Sequence, residues 1–333
     1  MKNITILINQ QNDHERRVLE AIKIVNATQN YFYLKLSDQL ISLEKSDKGV
    51  NPSELHKAIR KAHPEESLIC VISQPFVDNW FSHPYRGCEI ITLSDWEELF
   101  APPSLRAYLI YHFTEALLSF EADLSEDMHV RHAHEPPRGC ISDFSGHKPD
   151  VKLGMVAGNI CLECEGTFLR YSISSAALNA LRKILGIVRD EAIGRPKIID
   201  TESAFVIMRF SQNDENDNAF KYGVKAGLSE VGLTVRRADD TVVSNQILDK
   251  IFHLIERSRF IVAKVDAENL NVYFELGAAM GLGKDVLLIA ESSLVLNLPS
   301  DLRNWECLTY EKGNYEQLRE RIAKFYRDNY GLS

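Results

Sequence analysis

The sequence lacks the long apolar runs of membrane-spanning segments, and its opening, Met-Lys-Asn-Ile, lacks the extended apolar region of a signal peptide. Its six cysteines in 333 residues are too few for a disulfide scaffold. It also lacks a glycine-rich phosphate loop and a G-x-G-x-x-G motif after a strand, which argues against a Rossmann dehydrogenase. These absences predict a cytoplasmic protein in a reducing compartment, with no membrane partner.

Positive charge is scarce as well. The chain has 38 lysines and arginines against 47 aspartates and glutamates, a formal net charge of −9. Proteins that bind the phosphate backbone of nucleic acids need a dense basic surface, so no direct nucleic-acid binding is expected. The hydrophobic fraction of 45% and the charged fraction of 26% are ordinary for globular domains. The length allows two domains of common size.

The order of predicted strands and helices divides the chain into three parts. Residues 1–126 alternate short apolar strands with helices, which predicts an α/β domain with a mostly parallel sheet. Residues 127–200 combine a Cys/His-rich segment, a helix and a linker that contains Gly and Pro. Residues 203–333 are predicted to form a second α/β domain.

Five strands separated by helices are predicted in this C-terminal part. The third, residues 260–265, is an almost continuous apolar run, as expected of a central parallel strand. The others are predicted at residues 204–208, 234–236, 286–289 and 307–310. The pattern predicts a flavodoxin-like, doubly wound parallel sheet that binds its ligand at the carboxyl ends of the strands.

Polar residues are concentrated where these strands end. Asp266 follows the third strand, Asn269 and Asn271 occupy the next loop, and Asp239 and Asp240 follow the second strand. The carboxyl ends of parallel strands meet at one edge of a sheet, so these side chains should lie near one another. Carboxylates and amides beside a helix N-terminus suit ribose hydroxyls and a phosphate-bearing ligand.

Glu275 is the candidate catalytic residue of this edge. It follows Asn271 by four residues, which places both near one face of the first helical turns. Gly277 and Gly281 leave room for the close approach of a backbone or a ligand. The alternative is a structural role, in which Glu275 caps its helix or pairs with a basic neighbour.

The C-terminal part resembles the superfamily of TIR-like and nucleoside 2-deoxyribosyltransferase-like domains over about two-fifths of the chain. The matching residues are 205–210, 237–240, Asp266, 269–277 and 283–284. Two departures flank the expected cleft. Arg209 stands where such domains often carry Pro, and Lys264 stands where Asp is common.

The resemblance implies that Glu275 cleaves or exchanges an N-glycosidic bond, with NAD as the first candidate substrate and another nucleoside or nucleotide as the second. Breaking a ribose–base bond develops positive charge on the sugar, which a fixed carboxylate stabilises or captures. A second carboxylate is expected from Asp266 or Asp240. The residues expected to bind substrate are Arg209, Phe210, Asp239, Asp240, Asn269, Asn271 and Tyr273.

The middle segment has the spacing of a metal site. Cys140, His147, Cys161 and Cys164 form the pattern C-x6-H-x13-C-x2-C, which predicts a tetrahedral zinc site. His132 or His134 are alternatives to His147 as the fourth ligand. Four protein ligands close the coordination shell, so the zinc is expected to be structural. The alternative is three scattered thiols in a loop-rich segment.

The parts together suggest an effector in which the N-terminal part senses a signal and regulates nucleotide hydrolysis. Such pairings resemble bacterial anti-phage defence proteins, and this role is an analogy at the level of the fold. Homo-oligomerisation is expected because TIR-like domains often complete their sites across subunits. The alternatives are a module that binds a nucleotide signal without cleaving it, and a nucleoside deoxyribosyltransferase.

Overall fold

The computed structural model separates the chain into two compact units, Met1–Lys197 and Ile198–Ser333. It describes the chain except residues 11–12, 44–48, 65, 86, 100, 102, 123–132, 148–149, 196–197, 210–213, 239–246, 266–268, 300–301, 303–304 and 333. Residues 133–197, which belong to the predicted Cys/His-rich segment and linker, lie in the first unit. None of the helices described is both long and apolar enough to span a bilayer.

The first unit is a mixed sheet with helices. Its strands are β1 Lys2–Asn9, β2 Phe32–Ile41, β3 Leu68–Ile72, β4 Ser82–Tyr85 and β5 Cys88–Thr92. Its helices are α1 Glu15–Thr28, α2 Pro52–Ala62, α3 Trp96–Leu99, α4 Leu105–Ala122, α5 Val151–Ala157, α6 Leu162–Arg170 and α7 Ser175–Ala192. The sheet order is β2-β1-β3-β5-β4, parallel except for β4, which runs antiparallel to β5. Helix α4 packs against α1 and α7.

The second unit is a fully parallel sheet. Its strands are β6 Asp200–Ile207, β7 Thr234–Arg237, β8 Ser258–Lys264, β9 Val286–Glu291 and β10 Cys307–Tyr310. Its α-helices are α8 Glu215–Asn218, α9 Ala226–Glu230, α10 Ile247–Arg257, α11 Leu270–Gly281 and α12 Tyr315–Tyr330. A π-helical segment, Ala219–Lys225, joins α8 to α9, and a 3-10 helix, Ser292–Asn297, follows β9. The order β10-β9-β8-β6-β7 is the flavodoxin-like order, which confirms the predicted fold class.

Alternate residues of β8 face two separate cores. Phe260 and Val262 pack with the π-helical segment, α9 and α12. Ile261 and Ala263 pack with α10 and α11 on the other face. The chain therefore leaves β6 toward one face of the sheet and β8 toward the other. Neighbouring strands whose connections diverge in this way open a crevice between their carboxyl ends.

Two glycines allow the helix that follows β6 to lie directly on α12. A Cβ atom added to Gly223 would come within 2.5 Å of the Leu318 side chain. A Cβ atom added to Gly227 would come within 2.6 Å of the Arg319 carbonyl oxygen. The contact at Gly227 is with backbone, which cannot move aside as a flexible side chain can.

We expect Gly227→Ala to destabilise the C-terminal unit by about 1–3 kcal/mol, because the added methyl group overpacks this helix contact. The matched control is Gly186→Ala, since a Cβ at Gly186 meets nothing within 4 Å. Gly186→Ala should raise the free energy of unfolding by roughly 0.5–1 kcal/mol, because Ala has a higher helix propensity than Gly. Urea unfolding of both variants measures the difference, and equal midpoints would contradict the assignment of a close contact.

Candidate functional site

The crevice between β6 and β8 is where the predicted ligand site lies in the fold. Of the residues predicted for it, Phe210, Asp239, Asp240 and Asp266 lie outside the described residues. Arg209 is described and exposed just beyond the end of β6. The other described members belong to α11 and its cap, which follow β8.

Helix α11 begins with a side-chain cap from Asn269. The Asn269 Oδ1 atom accepts hydrogen bonds from the backbone N–H groups of Asn271 and Val272, at 3.1 and 3.4 Å. This satisfies two of the donors that a helix start leaves open. Asn271 is exposed, and Tyr273 is half-buried. The cap fixes the start of the helix that presents Glu275.

Glu275 lies on the buried stripe of α11. This stripe comprises Val272, Glu275, Leu276 and Ala279, spaced as one face of a helix. Glu275 is only 8% exposed. Its three companions belong to the core between α11 and the sheet. A carboxyl group therefore stands in a position that ordinarily takes an apolar side chain.

Burial raises the pKa of Glu275 to about 7. Among the residues that the structure describes, Glu275 has no hydrogen-bond or ion-pair partner. The cap of α11 comes from Asn269, so Glu275 does not serve as one. The described contacts therefore do not support a structural role for this side chain. A desolvated carboxyl group that titrates near neutrality is typical of functional sites.

A polar network lies on the opposite side of the crevice. Lys264, the last residue of β8, is 3% exposed, and its Nζ donates to Asn216 Oδ1 at 2.7 Å. Asp217 accepts a hydrogen bond from Lys221 Nζ at 2.8 Å. The Arg237 guanidinium lies 4.0 Å from Asp217 and also over a neighbouring aromatic ring. Lys264 thus ties β8 to the helix that leaves β6.

Sequence patterns did not identify Asn216, Asp217 or Arg237 as site residues. Asp214 caps α8 by accepting the N–H groups of Asn216 and Asp217. Residues 211–218 are rich in Asn and Asp, and an Asp N-cap within this segment was the available signal. Which side chains reach β7 and β8 depends on strand order, which is a property of the tertiary structure.

The second candidate site is a metal centre in the first unit. The ligand atoms of His134, Cys140, Cys161 and Cys164 all lie within 4.8 Å of one another. His134 Nε2 lies 3.3 Å from Cys161 Sγ and 3.0 Å from Cys164 Sγ. In a tetrahedral zinc site, Zn–S and Zn–N bond lengths imply an S···N separation of about 3.6 Å. The observed separations are shorter than this, so binding needs the thiols and the imidazole to move apart slightly, and the donor set of three thiols and one imidazole is that of a structural zinc site.

His147, the predicted fourth ligand, does not belong to this group. Its side chain is exposed, and its backbone N–H points to the Asp150 carboxylate at 3.4 Å. His134 takes its place, because the backbone of His134 pairs with the loop that carries Cys140. The His134 N–H donates to Ser142 O at 2.9 Å, and its carbonyl accepts from Phe144 N at 3.0 Å. His132 lies outside the described residues.

The loop before Cys140 is organised by one carboxylate. Asp143 Oδ2 accepts the backbone N–H groups of Arg138, Gly139 and Cys140, at 2.7, 2.5 and 3.0 Å. Gly139 adopts a φ of 86°, a left-handed conformation that favours glycine. These contacts turn the chain so that the Cys140 thiol faces Cys161 and Cys164.

Backbone N–H groups also surround the thiols. Cys140 Sγ accepts from Cys161 N at 3.4 Å, and Cys161 Sγ caps α6 by accepting from Cys164 N at 3.5 Å. A hydrogen bond from the Cys164 side chain, helped by the backbone of Cys161 and Ser142, lowers the pKa of Cys140 to about 5. The neighbouring Cys140 in turn raises the pKa of Cys164. Bound zinc would hold all three as thiolates and close the shell with His134.

We expect one zinc ion per chain at this centre. His134→Ala and Cys164→Ser should lose the metal, because each removes one of four ligands. His147→Ala is the matched control and should retain it. Metal analysis of the purified variants measures the zinc, and a cobalt-substituted protein should show thiolate-to-metal absorption. Loss of zinc in His147→Ala with retention in His134→Ala would reverse the assignment.

We expect Glu275→Gln to stabilise the C-terminal unit above neutral pH. A raised carboxyl pKa means that the folded state holds the proton more tightly than the unfolded state does. Wild-type stability therefore falls as pH rises from 4.5 to about 7. At about pH 8 the variant should be more stable by about 1–3 kcal/mol, and the difference should vanish near pH 4.

Chemical unfolding at several pH values measures this difference. Glu320→Gln is the control, because Glu320 is exposed on α12 and its replacement should leave the pH dependence of stability unchanged. Identical pH profiles for wild type and Glu275→Gln would contradict a desolvated carboxyl group.

The chain matches no protein-family model and no curated protein sequence. Among solved structures it is similar to archaemetzincin from Methanopyrus kandleri, with a TM-score of 0.37 and 13% identity, over 51% of this chain and 95% of that chain. It is also similar to the C-terminal domain of glucosamine-fructose-6-phosphate aminotransferase from Francisella tularensis, with a TM-score of 0.26 and 10% identity, over 100% of this chain and 86% of that chain. Both similarities are too distant to assign a family or an activity.

Proposed function

We propose that the C-terminal unit is an N-glycosidase that hydrolyses the ribose–base bond of a nucleotide, with NAD as the first candidate substrate. The observation that carries this proposal is Glu275. Its carboxyl group is buried on the sheet-facing stripe of α11, and it has no partner among the described residues. Burial without compensation costs stability, so the position is explained best by what the carboxylate does for a ligand.

The chemistry follows from the charge that develops in the reaction. As the ribose–base bond breaks, positive charge grows on the sugar and negative charge leaves with the base, unless the base is already cationic as nicotinamide is. A carboxylate in a desolvated position stabilises the sugar cation more strongly than one in water, or it captures the anomeric carbon. With a pKa of about 7, Glu275 is ionised in a large fraction of molecules near neutral pH and fully ionised above it.

A second carboxylate would complete the site. Asp266 comes two residues after the end of β8 in the sequence, and we expect it at the same edge of the sheet as Glu275. We assign it the proposed role of holding the ribose or activating the water that ends the reaction. Asp239 and Asp240, which follow β7, are proposed to bind the ribose hydroxyls.

A nucleotide rather than a neutral nucleoside is favoured by the cations near the crevice. Lys264 ends β8 within the fold, and Arg209 is exposed just beyond the end of β6. Both flank the end at which a doubly wound sheet binds its ligand. Cations at this edge suit a phosphate group, which a nucleoside lacks.

The first unit is proposed to regulate this activity, and the zinc centre is proposed to order the segment from His134 to Cys164 structurally. Nucleotide depletion in anti-phage defence is the proposed biological role, and assembly into homo-oligomers is part of the same proposal. These roles rest on the resemblance of the C-terminal sequence to TIR-like domains.

A second candidate is a module that binds a nucleotide signal without cleaving it. The Lys264–Asn216 hydrogen bond of 2.7 Å favours this alternative, because it gives the crevice a fixed cationic wall suited to holding phosphate. In that case ligand bound to the protein would be recovered intact. A deoxyribosyltransferase is a third candidate, and it would exchange bases instead of releasing them.

We expect Glu275→Gln to reduce base release by at least about 100-fold, as loss of a group that stabilises transition-state charge commonly does. The assay incubates purified full-length protein with NAD, ATP and a panel of deoxynucleosides near pH 8, and chromatography measures the released base. The control Glu320→Gln changes an exposed carboxylate and should retain wild-type turnover.

Wild-type turnover by Glu275→Gln would refute the catalytic assignment. If neither protein releases base, the same samples are analysed for bound nucleotide. Intact nucleotide retained by both would support the binding module in place of the enzyme. Base exchange that requires an added acceptor base would instead identify a transferase.

A further inference from the structure

The three thiols of the metal centre differ in their access to solvent. Cys140 is 1% exposed and Cys164 is 4% exposed, whereas Cys161 is only partly buried. Cys161 occupies the N-cap of α6, where its Sγ accepts from the Cys164 backbone N–H at 3.5 Å. Metal binding requires thiolates, and the thiolate is the nucleophilic form of cysteine. Cys161 is therefore the nucleophile of this centre that a small dissolved reagent can reach.

A cation lies beside this thiol. The Arg138 guanidinium contacts the imidazole of His134 and donates to Glu163 Oε2 at 2.7 Å. Its side chain is 50% exposed, and it interacts electrostatically with Cys161 and Cys164. A cation in this place stabilises the negative charge that develops on the leaving group of a reagent attacked by Cys161.

A second thiol stands on the same helical turn as the first. Cys164 follows Cys161 by three residues, and the ligand atoms of the centre all lie within 4.8 Å of one another. Cys140 is also within this distance, but three hydrogen bonds to Asp143 hold its loop. A disulfide requires the sulfur atoms to approach to about 2.0 Å. A C-x-x-C pair at a helix start can reach this distance with little backbone movement, as in thiol–disulfide oxidoreductases.

We propose that Cys161 is an oxidation site for hydroperoxides, and that a disulfide between Cys161 and Cys164 releases the metal ion. In the first step, the Cys161 thiolate attacks the terminal oxygen of the hydroperoxide. An S–O bond forms and the O–O bond breaks, so the sulfur loses two electrons and the peroxide gains them. The leaving alkoxide or hydroxide takes a proton from solvent, and Cys161 becomes a sulfenic acid.

In the second step, the Cys164 thiolate attacks the Cys161 sulfur. The S–S bond forms, the S–OH bond breaks, and the leaving hydroxide is protonated to water. Both sulfurs then cease to be thiolates, which leaves His134 and Cys140 as the remaining ligands. Two ligands do not hold a structural zinc ion, which needs four. This proposal rests on the metal assignment and is independent of the proposed N-glycosidase activity.

The first test exposes zinc-loaded full-length protein to hydrogen peroxide and follows zinc release with a colorimetric chelator. We expect release to parallel formation of the Cys161–Cys164 disulfide, which peptide mass spectrometry identifies after alkylation of the remaining thiols. A thiol reductant with added zinc should restore the metal content. Zinc retained by wild type, or a first disulfide that lacks Cys161, would overturn the proposal. A first disulfide between Cys161 and Cys140 would overturn the role of Cys164.

The second test removes the Cys161 thiol but keeps a ligand in its place. Asp is a favoured N-cap and a zinc ligand, so Cys161→Asp should still bind the metal, which metal analysis checks before oxidation. Its peroxide-driven zinc release should be slower than that of wild type by more than about tenfold. Equal release rates would show that Cys161 is not the site. If the variant binds no zinc, the disulfide mapping of wild type decides.

Cys307→Ser is the matched control. Cys307 is also only partly buried, but it lies on β10, and burial raises the pKa of its thiol to about 11. Its replacement should leave the rate of zinc release unchanged. Wild type that is purified without zinc would refute the metal centre and this proposal together. That result would leave base release by Glu275 unaffected, so the two failures can be distinguished.

Discussion

The central position of β6 is the constraint on which the C-terminal unit depends. Because β7 and β8 flank β6, the chain must leave β6 and β8 over opposite faces of the sheet. The helix after β8 brings Glu275 to one side of the crevice, and the helix after β6 brings Asn216 to the other, where Lys264 holds it. If the strands were joined in their sequence order, both connections would cross the same face of the sheet, and no crevice would open between β6 and β8.

Glu275 has no part in the capping or the apolar packing of α11. Asn269 supplies the helix cap, and apolar residues such as Leu276 supply the packing, so the local structure of α11 is complete without Glu275. The cost of burying this carboxyl group has no local compensation among the described residues. Functional sites commonly retain such costs, which the surrounding core offsets.

The architecture of the C-terminal unit could be predicted from sequence because its central strands are buried on both faces and consist mostly of apolar residues, as in residues 260–265. The π-helical segment, Ala219–Lys225, could not be predicted, because it depends on packing against α12. The sequence did not distinguish His134 from His147 as the fourth ligand either. Spacing along the chain does not determine which histidine lies next to the three thiols in the folded structure. Asp217 escaped notice because, apart from the local Lys221, its charged partner is Arg237 on β7, which only the folded structure brings near.

The Asp143 carboxylate has a consequence for how the metal centre is assembled. It gathers three successive backbone N–H groups within five residues of itself, so the loop owes its shape to contacts of short sequence separation. Such contacts close quickly and lose little chain entropy. The loop is thus preorganised, and an arriving ion need not supply the free energy of ordering it. The preorganised loop therefore contributes to the affinity for the metal ion. Replacing Asp143 would remove this contribution even though all four ligands remained.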